Sequence, residues 1–93
     1  MDKKKLKVAR NKVDQIDKKI FDLIKKRTEI VKYLLSLKKY KKQIVDHKRI
    51  DDILKKIKNK SVRCGIDSKL TSRIWKSIIW SYVEYERRKF KKK

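Results

Sequence analysis

Apolar residues recur through the first third of the chain at alternating steps of three and four: Leu6, Ala9, Val13, Ile16, Ile20, Leu23, then Ile30, Leu34 and Leu37. Arg27 stands where the pattern calls for one more. This heptad seam, held for over four repeats without proline or glycine, predicts one long amphipathic helix from about Leu6 to Lys39. Acid-before-base pairs four apart, Asp14 with Lys18 and Asp22 with Lys26, mark its solvent face. At about 1.5 Å per residue the helix would run roughly 50 Å, whereas a compact chain of this size has a radius of gyration of about 12 Å. A helix that outreaches its own domain leaves apolar surface uncovered, and a second copy of the chain is the simplest cover.

The seam breaks at Lys39-Tyr40-Lys41-Lys42-Gln43, which reads as a connector. Asp46 is suited to cap a second helix from about His47 to Cys64, with an apolar stripe of Ile50, Ile53, Leu54, Ile57 and Val62. Gly65, the single glycine, falls where a left-handed residue would end that helix. Asp67 or Ser68 then caps a third helix carrying Leu70, Ile74, Trp75, Ile78, Ile79, Tyr82 and Val83, and Glu86 lies on that same stripe. The lysine-rich ends, 1–5 and 89–93, read as frayed and solvated. The expected fold is all-α: a single domain over 1–93 with one long, one short and one medium helix. Two chains would pair through their long helices in a bundle of two-fold symmetry.

Charge widens the range of partners, and its placement narrows it again. Among 93 residues, 32 are basic and 11 acidic, a formal net charge of +21, which raises nucleic acid, acidic lipid or anionic small molecules. Lysines spread along nearly the whole length read as a solvated surface. The few arginines are more informative, because a guanidinium binds carboxylates in a fixed bidentate geometry. Cys64 is alone, so no intrachain disulfide forms and a reducing compartment is expected; His47 has no Cys/His cluster around it, so no transition-metal site is expected. No apolar run approaches 18 residues and no apolar segment follows the basic start, so neither a membrane span nor a signal peptide is expected, and the cytoplasm is the expected location.

Four charges sit where apolar stripes or helix starts face inward. Arg27 interrupts the seam; alone, it reads as readily as a structural side chain, snorkelling to water or pairing with an acid across a dimer, as it does a functional one. Lys38 follows 11 residues later on the same helix face, roughly 16 Å along the axis. Arg49, in the first turn of the second helix, can fold over the same space, and Glu86 adds one acid. Three cations and a carboxylate facing a bundle interior describe a pocket for a compact dicarboxylate. A nucleic-acid groove would instead put its basic residues outward. Trp75 has core spacing, while Trp80 and Tyr85 suit either core or base-stacking roles. There is no Ser/His/Asp set, paired carboxylate or phosphate-cradling glycine loop. Any chemistry here must run on positioning and charge stabilisation.

Several of these residues also carry a resemblance. Ala9-Arg10-Asn11-Lys12-Val13-Asp14-Gln15-Ile16-Asp17, Leu23-Ile24-Lys25-Lys26-Arg27, Asp46-x-x-Arg49, Gly65-Ile66-Asp67, and Ile78-Ile79 followed by Glu86 are similar in order and spacing to the all-helical (AroQ-class) chorismate mutase family, over roughly residues 6–88. The resemblance implies an intertwined homodimer with two shared sites. It also implies cofactor-free pericyclic conversion of chorismate to prephenate, a step of aromatic amino acid biosynthesis. By position, Arg27 and Arg10, the latter supplied by the partner chain, would bind the two substrate carboxylates. Lys38 would contact the ether oxygen and a carboxylate, Arg49 would help close a pocket that Asp46 borders, and Glu86 would bond the ether oxygen. A carboxyl donates only when protonated, so Glu86 is expected to be partly buried and activity to fall as pH rises. Two positions depart from the family pattern: Ile50 replaces a frequent glutamate, and Tyr82 a small hydroxyl residue. Both resemble the isochorismate-pyruvate lyases of the same fold, which gives the alternative activity. The connector is about a residue short of some relatives, which makes Lys39 the alternative to Lys38. A non-catalytic basic helical binding protein is the third reading.

Overall fold

The computed structural model describes residues 2–91. Among these the chain is all-helical, without strands: α1 spans Lys3–Ser36, a 3-10 turn spans Lys41–Gln43, α2 spans His47–Cys64 and α3 spans Ser68–Lys89. Two compact units divide it, Met1–Tyr33 and Leu34–Lys93.

The first unit is the greater part of α1. The helix starts earlier than the seam predicts, and Lys3–Lys5, expected to fray, are helical. The cause is Asp2, whose carboxylate accepts the Lys4 and Lys5 N–H groups at 3.0 and 3.1 Å and whose carbonyl accepts from Leu6. One side chain thus satisfies two donors that a helix start otherwise leaves open. Met1 lies outside the described residues. The seam itself is uncovered: Val13, Ile16, Ile20, Leu23 and Ile30 are 51–63% exposed. A neighbouring stripe, Ile24, Thr28 and Val31, is half-buried. No residue of this unit from Asp2 to Tyr33 is fully buried.

In the second unit α2 and α3 pack against each other. α2 begins and ends where expected. Asp46 accepts the Arg49 N–H at 3.0 Å, and Gly65 closes the helix at φ 71° while Ile66 N–H donates to the Ser61 carbonyl at 3.0 Å. That six-to-one bond over a left-handed residue is a Schellman stop. Asp67, rather than Ser68, caps α3 by accepting from Lys69 and Leu70.

The stripes of α2 and α3 need two corrections. Val62 is 68% exposed and Ser61 is buried, because position 61 lies four beyond Ile57 and continues the inward row, whereas 62 is turned a further 100°. Ser61 Oγ donates to the Ile57 carbonyl at 2.6 Å and meets Thr71 Oγ1 at 2.7 Å, so two buried hydroxyls satisfy one another where the helices touch. On α3, Leu70 and Ile74 are 54% and 44% exposed, while Trp75, Ile78 and Tyr82 are half-buried and Ile79 and Val83 are buried.

A small core of Leu35, Ile44 and Val83, with Val45 and Phe90 packed against it, joins the end of α1, the connector and the end of α3. The sequence pattern did not place Ile44 in a core. It also put Lys89 and Phe90 in a frayed end, but Lys89 is helical and Phe90 is held by apolar packing and by its N–H bond to the Glu86 carbonyl at 2.8 Å. Lys92 and Lys93 lie outside the described residues. No helix among the described residues is long and apolar enough to cross a membrane.

Candidate active site

α1 stops at Ser36, earlier than the seam implies. Leu37 and Lys38 donate instead to the carbonyls of Leu34 and Leu35, both at 3.1 Å, which tightens the last turn. Lys38 therefore lies just past the helix end, over the Leu35–Ile44–Val83 core. From the other side α3 delivers Glu86, one turn beyond Val83.

The two meet. Lys38 Nζ donates to Glu86 Oε1 at 2.7 Å across 48 residues of chain, with the lysine side chain 23% exposed and the carboxylate side chain 10%. A carboxylate this deeply buried is costly unless an opposite charge and a hydrogen bond compensate it, and Lys38 provides both. The pair is a compensated charge one turn of α3 beyond a core residue, Val83. Lys39, the alternative cation, is exposed.

The second unit also holds four more residues singled out in the sequence. Asp46 and Arg49 are exposed at the start of α2, with the Asp46 carboxylate engaged as N-cap by the Arg49 backbone. The cap leaves the guanidinium uncommitted to that bond. Ile50, next along, is half-buried. Tyr82, one turn before Glu86, is half-buried and lies edge-on to Tyr85, with ring centroids 6.4 Å apart at 83°. His47 is exposed, and among the described residues no His, Cys, Asp or Glu cluster could hold a metal ion.

The first unit holds the remaining two. Arg27 is half-buried and Arg10 exposed on α1. They are 17 residues apart on one helix, about 25 Å along the axis, so one copy of α1 cannot close both on a ligand a few ångströms across.

Sequence reasoning missed Gln43. Its Oε1 accepts the Lys39 N–H at 2.7 Å and the Tyr40 N–H at 2.8 Å, filling the turn that follows Lys38. The available signal was its place three residues after Tyr40, the spacing at which a Gln side chain reaches back to open backbone donors.

The family model for chorismate mutase type II matches residues 9–87. No curated protein and no solved structure matches the chain.

Proposed function

The chain belongs to the chorismate mutase type II family, a family of isomerases, and from that premise we propose that it rearranges chorismate to prephenate at a site shared between two copies. The part-buried Lys38–Glu86 pair carries the reading. In this rearrangement one C–O bond breaks and one C–C bond forms within a single molecule, and no atom or electron is exchanged with the protein. What the protein supplies is complementarity to charge that appears only in the transition state, on the ether oxygen of the breaking bond.

Lys38 is the cation for that oxygen. An arriving dicarboxylate competes with Glu86 for its ammonium. Glu86, released from that pair, is the second group beside the oxygen, the role that its place in the family implies. Arg27 binds one carboxylate, Arg10 of a second copy binds the other, and Arg49 closes over the ligand from the start of α2, beside Asp46. The helical distance between Arg10 and Arg27 is what asks for two chains, and the uncovered seam of α1 offers the surface on which they pair.

Incubation with chorismate, following prephenate by absorbance and chromatography, tests the reaction. Absence of turnover would overturn the proposal. The half-buried Ile50 and Tyr82 favour one second reading, isochorismate-pyruvate lyase chemistry on the same fold. Pyruvate and salicylate released from isochorismate, with chorismate left intact, would establish that reading instead.

A further inference from the structure

We propose that Gln43 is a positioning residue for Lys38: its side-chain oxygen sets the lysine backbone so that the ammonium meets the reacting oxygen. The proposal rests on the mutase reading above.

Lys38 has no regular helix to hold it. α1 has ended two residues before, and the next two backbone donors, on Lys39 and Tyr40, have no helical acceptor. Both turn to one atom, Gln43 Oε1, at 2.7 and 2.8 Å. Gln43 is itself fixed, since its N–H donates to the Tyr40 carbonyl at 3.0 Å and the following residue, Ile44, donates to Lys41 at 3.1 Å. Ile44 is 5% exposed in the core with Leu35 and Val83.

The chain of constraint runs from Val83, one turn before Glu86, through Ile44 and Gln43 to the peptide that follows Lys38. Lysine and glutamate are thus referred to the same helix by two routes, their own ion pair and the Gln43 clamp. Substrate has to break the first route; the second then keeps Lys38 in place. An acceptor is required here, and it must reach back three and four residues. Asparagine is one methylene shorter, and alanine has no acceptor. Glutamate keeps the oxygen and suits the surrounding Lys39, Lys41 and Lys42.

The test compares wild type with Q43A, Q43N and Q43E, measuring kcat and KM on chorismate and amide hydrogen exchange at Lys39 and Tyr40. A misplaced Lys38 weakens an interaction made in the transition state more than in the bound substrate. Q43A and Q43N are therefore expected to lose kcat by about tenfold while KM moves by less than about twofold. Their Lys39 and Tyr40 amides should exchange faster, and Q43E should restore both the rate and the protection. Wild-type kcat in Q43A and Q43N overturns the proposal. So does a Q43E as impaired as Q43A, or a loss of rate that merely tracks the folded fraction by circular dichroism. A wild-type protein that leaves chorismate unchanged overturns the mutase reading and this one with it. Turnover by wild type with no effect at position 43 overturns this one alone.

Discussion

The two units of this chain carry the same kind of apolar stripe and treat it oppositely. In Leu34–Lys93 the stripes of α2 and α3 meet, and Ile79 and Val83 are left 6% and 5% exposed. In Met1–Tyr33 the longest and most regular stripe of the molecule stays open, with Ile16 at 55%, Ile20 at 51% and Leu23 at 63%. Helix propensity does not separate them, since both are rich in Lys, Ile and Leu. Neighbours do. Each large aliphatic side chain contributes about 1.5–3 kcal/mol when fully withdrawn from water, and the first unit forgoes much of that in a single copy. An amphipathic helix draws most of its stability from packing. The first unit's seam is therefore left open in a single copy, whereas the second unit covers its stripes by folding.

The sharpest test of that contrast is to remove a charge from one unit and ask whether the other notices. Arg27→Ala is expected to lower kcat/KM by about 10²–10³-fold, the loss typical of a preorganised donor, while sedimentation shows the same oligomer as wild type. A variant that dissociates would instead make Arg27 an interface residue. Leu23→Glu attacks the open seam directly. Placing a carboxylate in an apolar interface should weaken self-association by roughly 100-fold or more and lower helix content at micromolar concentration, with activity lost in proportion to dimer. Unchanged association would mean that the seam is covered by something other than a second copy.

Within the second unit the predictions are smaller. Glu86→Ala removes the group opposite Lys38 and should lower kcat/KM on chorismate by roughly tenfold. Glu86→Gln keeps the shape and carries an amide donor, so it should retain more activity than Glu86→Ala. Wild-type activity in Glu86→Ala would remove Glu86 from the role. Gly65→Ala should cost about 1 kcal/mol, because an L-residue is forced into the left-handed region. An added Cβ meets nothing within 4 Å there, so the penalty is conformational only. Chemical denaturation measures it, and a neutral result would place the stop signal elsewhere.

How far the sequence was legible follows the range of the forces involved. Asp46, Gly65 and Asp67 ended or began helices as read, because a cap is satisfied within three or four residues of itself. Asp2 is equally local, but the run of lysines after it obscured a helix start that one carboxylate secures. Arg27 and Glu86 were legible as charges on apolar stripes, and Lys38 as a cation on the same helix face as Arg27, because each position follows from the helical repeat. The Ser61 position was misread in favour of Val62, since hydrophobicity pointed one way and helical phase the other, and phase prevailed. Gln43 and Ile44 were illegible, because an irregular connector has no period to read.

By itself, then, the sequence determined the helical content, the caps and the charges that interrupt the stripes, all consequences of near neighbours in the chain and the 3.6-residue repeat. Only the tertiary structure decided that Lys38, rather than Lys39, reaches Glu86, that two hydroxyls rather than a valine lie between α2 and α3, and that a glutamine oxygen holds the peptide after Lys38. The ion pair joins residues 48 apart and the hydroxyl pair residues 10 apart on different helices, so neither is encoded by local spacing. They exist because the packing of α3 against the connector and α2 fixes which side chains face each other, and burial then forces each polar group to find a partner.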